Sequence, residues 1–388
     1  MVFIAVVSSA SILDYFGAEK EFKMSEISLL VVSKEAWGDT RWARKQWLPY
    51  FLAQQKDIKD VVYVDRAAAW WRGDLAHQDE VVDGIQVVQL NLPFPLEHST
   101  WIRRLNRKVM ANKLLSRLET DPHWVTLYYH PYDVDMMKTL GKQSKIVFDW
   151  TEDWADFHHD EAMAKLQRRC VEEADMVLTV TQTLYQRAVS WRGSEESVVC
   201  VPNATVFTSG DSIPDEPEIV KFIPHPRLGF VGHMGTWFDA TLVEALAVKY
   251  PMWQWVLIGG VGEQVKTRLS KHKNVHFLGV FSPSKLPALM QHCDVLVAPY
   301  KQGIQGDATK LYDYLAMKKP IVSTACETAE RLHTWVHECL NIDDWITSIT
   351  SSLEGHALVV ASKQEIHEHH WKARSKAVNI LFKRLFNE

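Results

Sequence analysis

The sequence predicts an α/β protein built as two Rossmann-like, doubly wound domains facing a cleft. Two observations lead there. Continuous apolar runs of strand length, among them ISLLVVS (27–33), WVTLYYH (124–130), KIVFDW (145–150), WQWVLIGGV and DVLVAPY, alternate with helix-patterned stretches throughout. Runs with no polar alternation are the kind buried on both faces of a parallel sheet. The 388 residues also exceed what one core usually organises, and the alternation starts afresh after a polar, Pro-rich stretch, TSGDSIPDEPEIVKFIPHP. The expected boundaries are a first domain over 1–205, a linker over 206–224, a second domain over 225–365 and a terminal helix over 366–388.

Composition narrows the function classes. An apolar fraction of 47% with 23% charged residues is ordinary for a globular enzyme, and a net charge of -5 argues against a general nucleic-acid binder. The five cysteines, Cys170, Cys200, Cys293, Cys326 and Cys339, lack the C-x-x-C spacing of zinc or redox sites, so a reducing cytosol is the simplest setting. At the N-terminus, MVFIAVVSSASILDYF has an apolar run with no Lys or Arg before it and Asp14 close behind. That favours a short extension or mis-assigned start over a cleaved signal. No run is long enough to span a bilayer as a helix.

Taken in order, Ile27–Ser33 is the first buried strand, and the loop after it leads through Gly38 and Asp39 to a helix with Trp42, Trp47 and Phe51. Loops leaving the carboxyl ends of strands line the crevice in doubly wound folds, which brings Arg41, Arg44 and Gln46 near any site. VVYVDR (61–66) is the second strand, and VVDGIQVVQLNLP a strand pair bent at Gly84. The stretch 101–118 pairs an apolar stripe of Trp101, Ile102, Leu105 and Val109 with many Arg and Lys. Such a helix either packs its stripe on the sheet or lies against an anionic membrane. The next two strands end in chemically loaded positions: His130 follows one, and Asp149, Glu152 and Asp153 follow the other. Each has a structural alternative as a cap or turn residue. The triplet Asp133-Val134-Asp135 has the shape of a metal-binding D-x-D, but such triplets are frequent, and no metal site is expected.

In the second half, RLGFVGHMGTWFD runs from a strand into Gly232, His233, Met234 and Gly235, where glycines let phosphates approach the backbone. The stretch DATKLYDYLAMKKPIVST (307–324) reads as loop, helix, turn and strand, with Leu311, Leu315 and Ala316 at helical spacing and Pro320 as the stop. Its polar residues gather at the helix start. There free N–H groups and the positive end of the dipole, with Thr309 and Lys310 beside them, suit a phosphate. Asp313, one turn further, suits the hydroxyls of a ribose or sugar. Phosphate plus hydroxyls reads as a nucleotide.

This last stretch resembles the nucleotide-sugar site of GT-B glycosyltransferases of the retaining family 4 type, which carry Lys-Leu-Tyr-Glu-Tyr-Leu-Ala and then Gly-Lys-Pro. Here Asp313 stands for the Glu and Lys318 for the Gly. The family's earlier Glu falls on Gln305, and its basic pair after the first strand of the second domain is absent, which leaves more of the phosphate contact to Lys310. TEDW (151–154) is similar to a subgroup of teichuronic acid glycosyltransferases with an acidic pair after this strand; by that comparison Glu152 and Asp153 stand where other members have His and Asp. The terminal helix resembles the one that crosses back to the first domain. The resemblance implies a GT-B enzyme that binds a nucleotide sugar through the second domain and transfers the sugar to a glycan, lipid-linked or other hydroxyl acceptor. It implies retention of configuration and no metal or cofactor. Glu152, Asp153 and His130 are then the catalytic candidates. Gly232, His233, Gly235, Gln305, Thr309, Lys310 and Asp313 form the donor set, and Arg41, Trp42 and Arg44 the acceptor side. The expected location is cytoplasmic, at the inner membrane face if the 101–118 helix docks there. The rivals are a sugar-nucleotide epimerase of the same fold and an inactive binding or assembly protein.

Overall fold

The computed structural model describes residues 26–39, 42–69, 71, 79–95, 97, 99–118, 123–154, 161–210, 214–303, 306–356 and 359–386. The N-terminal apolar run, Arg41 and Gln305 lie outside them. The chain divides into two compact units, one of residues 1–202 with 371–388, the other of residues 203–370.

The first unit holds β1 (Ile27–Val32), α1 (Arg44–Ala53), β2 (Ile58–Val64), β3 (Glu80–Val82), β4 (Ile85–Val88), α2 (Thr100–Leu115), β5 (Trp124–Tyr128), α3 (Val134–Leu140), β6 (Ser144–Trp150), α4 (Glu161–Glu173), β7 (Met176–Thr179), α5 (Gln182–Arg192) and β8 (Val198–Cys200). The strands form one sheet in the order β3-β4-β2-β1-β5-β6-β7-β8, parallel except for β3. Every residue of β1 and β5 is buried, as their unbroken apolar sequences require of strands covered on both faces. The β3–β4 hairpin turns on Asp83 and Gly84, both at positive φ (53° and 81°), the tight Asp-Gly turn whose twist matches the strands.

The 101–118 stretch corrects the sequence pattern. Helix α2 buries Arg103, Asn106, Arg107, Met110, Ala111 and Leu114, whereas Trp101 of the expected stripe is 71% exposed and Ile102, Leu105 and Val109 are half-buried. The arginines turn inward because other elements meet them. Arg107 pairs with Asp133 at 2.8 Å and Glu97 at 3.0 Å, and Arg103 lies 4.3 Å from the Tyr132 ring centroid. The second carboxylate of the D-x-D triplet, Asp135, pairs with Arg169 at 3.1 Å. Among the described residues, no helix is long and apolar enough to cross a membrane.

The second unit runs α6 (Glu218–Lys221), β9 (Arg227–Val231), α7 (Ala240–Lys249), β10 (Gln254–Ile258), α8 (Glu263–Leu269), β11 (Val275–Gly279), α9 (Leu286–Gln291), β12 (Val295–Ala298), α10 (Thr309–Ala316), β13 (Ile321–Thr324), α11 (Glu327–Arg331), β14 (Val336–Cys339), α12 (Ile342–Leu353) and α13 (Lys363–Glu368). Its six strands are all parallel, in the order β11-β10-β9-β12-β13-β14, the doubly wound order of a Rossmann-like sheet. The stretch 206–224, expected as a linker, is part of this unit: α6 and the turn after it dock through Val220 and Ile223, both in the core of the unit. The last helix, α14 (Trp371–Arg384), belongs to the first unit. There Asn379 donates to Gln55 and Asp57 (2.8 and 2.9 Å), and Lys383 pairs with Asp57.

Candidate functional site

In the second unit, the sheet changes winding direction between β9 and β12, and the loops leaving these strands diverge there. A parallel sheet opens a crevice at such a place. The loop after β9 is stapled to the loop after β10. Gly232 N–H donates to the Ile258 carbonyl (2.8 Å), Met234 N–H to that of Gly260 (2.8 Å), and Gly262 N–H to that of Met234 (3.0 Å). The approach is so close that side chains have no room. A Cβ on Gly259 (φ 134°) would stand 2.1 Å from the Gly232 oxygen, and one on Gly232 (φ 141°) 2.3 Å from Lys310 Cε. His233 is exposed beside this turn, and a Cβ on Gly260 would stand 2.9 Å from its Nδ1; one on Gly235 would crowd His233 and Trp237 at 3.1 Å. These glycines leave a bare backbone rim crossed by one lysine.

That lysine is placed by α10. The helix buries Leu311, Tyr312, Tyr314, Leu315 and Ala316. The Tyr314 hydroxyl accepts from Val231 N–H (2.9 Å) and donates to the Val297 carbonyl (3.3 Å), which fixes the helix against both strands flanking the crevice. The chain leaves α10 through Lys318 at φ 54°, a left-handed conformation that glycine adopts without strain. At the other end Ala308 is the N-cap and offers no side-chain cap, and Thr309 is exposed. The preceding Asp307 is a structural anchor: its carboxylate accepts from Tyr312 (3.0 Å), Thr328 (2.7 Å), Arg331 (3.0 Å) and Asn203 N–H (2.5 Å).

The Lys310 ammonium lies 5.4 Å from the ring centroids of both Phe230 and Tyr300, and among the described residues it has no ion pair and no hydrogen bond. Burial pushes its pKa down to about 8, against the pull of Asp313. Asp313 accepts from the Thr205 hydroxyl at 2.7 Å, and burial pushes its carboxyl up to about 7 although Thr205 and Lys310 oppose the shift. A half-buried cation without a partner, above a glycine rim and at an uncapped helix start, is a place for an anion. Thus Gly232, His233, Gly235, Thr309, Lys310 and Asp313 come from the few loops and the one helix around this crevice.

The candidates in the first unit are held differently. Arg44 is buried, with its Nε 2.8 Å from Asp149 and its Nη1 donating to the carbonyls of Val201 (2.8 Å) and Pro202 (3.3 Å). It is committed to the fold, as is Gln46, which accepts from Ala43 N–H and donates to the Ala36 carbonyl (3.1 and 3.2 Å). Trp42 donates to the Trp37 carbonyl (3.0 Å) and packs in an aromatic row with Trp37, Trp47 and Tyr50. Asp153 is bound by Arg187 and by Gln167 (2.9 Å), so its carboxylate too is a structural partner. Glu152 is exposed, and among the described residues its carboxylate carries no bond. His130 accepts at Nδ1 from Tyr132 N–H (3.1 Å) and lies between the Tyr132 and Trp154 rings, with centroids 4.9 and 4.7 Å away. Burial, then Lys34, Lys45 and Arg107, push its pKa down to about 3 against the pull of Asp133, so the ring is neutral near pH 7.

Sequence reading left Lys34 unremarked and did not place Gly259 and Gly260, at the end of WQWVLIGGV, among the site residues. The glycines were visible as a pair ending a strand, but their need for a bare Cα comes from Gly232 and His233, which only the folded chain brings near.

Residues 225–354 match the family model described as "Glycosyl transferases group 1". Over 359 residues the chain is 23% identical to a Bacillus subtilis (strain 168) protein provisionally named teichuronic acid biosynthesis glycosyltransferase TuaH, covering 85% of this chain and 89% of that one. Among solved structures it is similar to a sucrose-phosphate synthase from Thermosynechococcus elongatus (TM-score 0.73, 14% identity, 93% of this chain and 100% of that one). It is also similar to Anabaena HepE in complex with UDP and glucose (TM-score 0.61, 12% identity, 93% and 96%).

Proposed function

We propose, from the match of residues 225–354 to the group 1 glycosyltransferase model and from the GT-B fold of the two parallel-sheet units, that this chain is a glycosyltransferase of polysaccharide biosynthesis that takes its sugar from a nucleotide-sugar donor. The observation that carries the reading is the Lys310 ammonium, without a partner among the described residues, lying across Gly232. In it the donor's diphosphate meets Lys310, the bare backbone after β9 and the start of α10, and Asp313 takes donor hydroxyls. The acceptor is a glycan, lipid-linked or other hydroxyl compound bound by the first unit, transfer proceeds with retention, and no metal or cofactor takes part. Both carboxylates of the D-x-D triplet being held by arginines supports the last point. Exposed Trp101, Arg104 and Lys108 on α2 support peripheral contact with anionic lipid.

Lys310→Ala is expected to weaken nucleoside diphosphate binding by about tenfold or more and nucleoside binding far less, since a charge-assisted hydrogen bond contributes about 1.5–3 kcal/mol. Isothermal titration of both ligands measures this, and equal losses would refute the phosphate contact. The free ammonium titrates at about 8, and a bound diphosphate raises that value. Diphosphate affinity should therefore be full below pH 8 and fall as pH rises above it, with proton uptake on binding at pH 8 and above.

In the same reading Glu152 acts on the reacting centre. Glu152→Gln should leave donor binding nearly intact and lower kcat, whereas Asp313→Asn should weaken the donor first. Steady-state kinetics with melting curves of both variants decide it; full turnover in Glu152→Gln would make that carboxylate structural.

A further inference from the structure

The first unit has a switch point of its own, between β1 and β5, where the chain winds outward in both directions. Val32 and Tyr128 are register partners on these strands, so Lys34 and His130, each two residues further, leave the sheet side by side. Around Tyr132 and Trp154 they form a chain of cations and rings: Lys34 Nζ is 4.6 Å from the Tyr132 centroid, His130 lies tilted against both rings (50° and 49°), and Lys45 Nζ is 5.4 Å from the Trp154 centroid.

The charges do not balance. Glu35 is taken by Lys45 (2.9 Å), and Glu97 and Asp133 by Arg107 (3.0 and 2.8 Å). Among the described residues Lys34 and Arg103 have no ion pair, and the Lys34 ammonium has no hydrogen bond either. His130 accepts at Nδ1, so its proton sits on Nε2, which has no acceptor among the described residues. Both side chains are half-buried and so remain reachable. Two neighbouring donors, one of them a cation with no ion pair among the described residues, at the mouth of a parallel sheet, match an anionic oxygen group. Burial already pushes Lys34 down to about 8, which a bound anion would reverse.

We propose that the first unit binds its acceptor through a negatively charged group, a carboxylate or a phosphate, held by Lys34 and the Nε2–H of His130. Naming that molecule the acceptor rests on the transferase reading above; the anion site does not.

The test titrates the full-length protein, at fixed ionic strength, with glucose, glucuronate and glucose 6-phosphate, read by calorimetry. At least one anionic sugar is expected to bind about tenfold tighter than glucose. Glucuronate in that role identifies a carboxylate site and glucose 6-phosphate a phosphate site, and either supports the proposal. Lys34→Gln should remove the preference, while Lys34→Arg and Lys310→Ala should keep it. Melting curves identify a variant that fails to fold, in which case His130→Phe, which removes the second donor, replaces it and should reduce the preference. No preference in the unaltered protein, a preference that survives Lys34→Gln, or one removed by Lys310→Ala overturns the proposal. Should nucleoside diphosphates fail to bind while the Lys34-dependent preference stands, the donor reading falls and the anion site remains.

Discussion

Gly259→Ala is expected to destabilise the second unit by about 3 kcal/mol or more and to abolish nucleoside diphosphate binding. Two effects add. At φ 134° a side chain is strained whatever the space, and here the new Cβ would lie 2.1 Å from the Gly232 oxygen. That oxygen belongs to backbone, which cannot swing aside as a flexible side chain would. Any relief must separate the loops after β9 and β10, breaking the bonds Gly232 and Met234 donate across them (both 2.8 Å) and moving the rim under Lys310. Gly303→Ala is the control. Its φ is also positive (74°), but among the described residues nothing lies within 4 Å of the added Cβ, so only the strain of about 1 kcal/mol remains. Urea unfolding of both variants, with titration of a nucleoside diphosphate, measures the two effects. Equal losses would mean that the two loops do not pack as described.

Arg44→Ala is expected to destabilise the first unit by about 3–5 kcal/mol, the usual consequence of stranding one member of a buried ion pair. The side chains of Arg44 and Asp149 are 4% and 0% exposed and 2.8 Å apart. Burial already raises the Asp149 carboxyl above its ordinary value although Arg44 opposes the shift, so removing Arg44 raises it further. The sign of the pH effect follows. Where both the folded and unfolded states hold the proton, near pH 4 and below, ionisation of Asp149 brings no penalty. As pH rises towards the raised folded value, the unfolded chain gains the carboxylate and the folded chain does not, so stability falls until that value is passed. The deficit relative to the unaltered protein should therefore be larger at pH 8 than at pH 5. A double variant, Arg44→Met with Asp149→Leu, should recover most of it because no charge is left buried. If Arg44→Ala instead unfolds normally and loses only turnover, Arg44 serves the acceptor, as its place in the loop after β1 first suggested.

These contrasts show what was legible. Strands such as Ile27–Val32 and Trp124–Tyr128 could be read directly, because a strand covered on both faces must be apolar at every position. The Asp83-Gly84 turn and the docking of α10 through Leu311 and Leu315 were equally plain, since each is a local pattern with a local cause. The place of Lys310 at a helix start was legible too.

Polar side chains were harder, because their direction depends on partners far along the chain. Asp153 and Arg44 looked like site residues, and both are neutralised inside the first unit, by Arg187 and by Asp149. The arginines of α2 lay opposite the expected apolar stripe, yet Arg107 turns in because Asp133, 26 residues away, meets it. Conversely Lys34 drew no notice as one lysine after a strand; it stands out only because the neighbouring carboxylates are taken by other cations. The sequence by itself determined the apolar strands of the two sheets, though not the edge strand Val336–Cys339, and the helix that carries Lys310, since burial and backbone geometry act over a few residues. Tertiary structure alone decided which charges are balanced and which glycines are obligatory, because both depend on what the fold brings within a few ångströms.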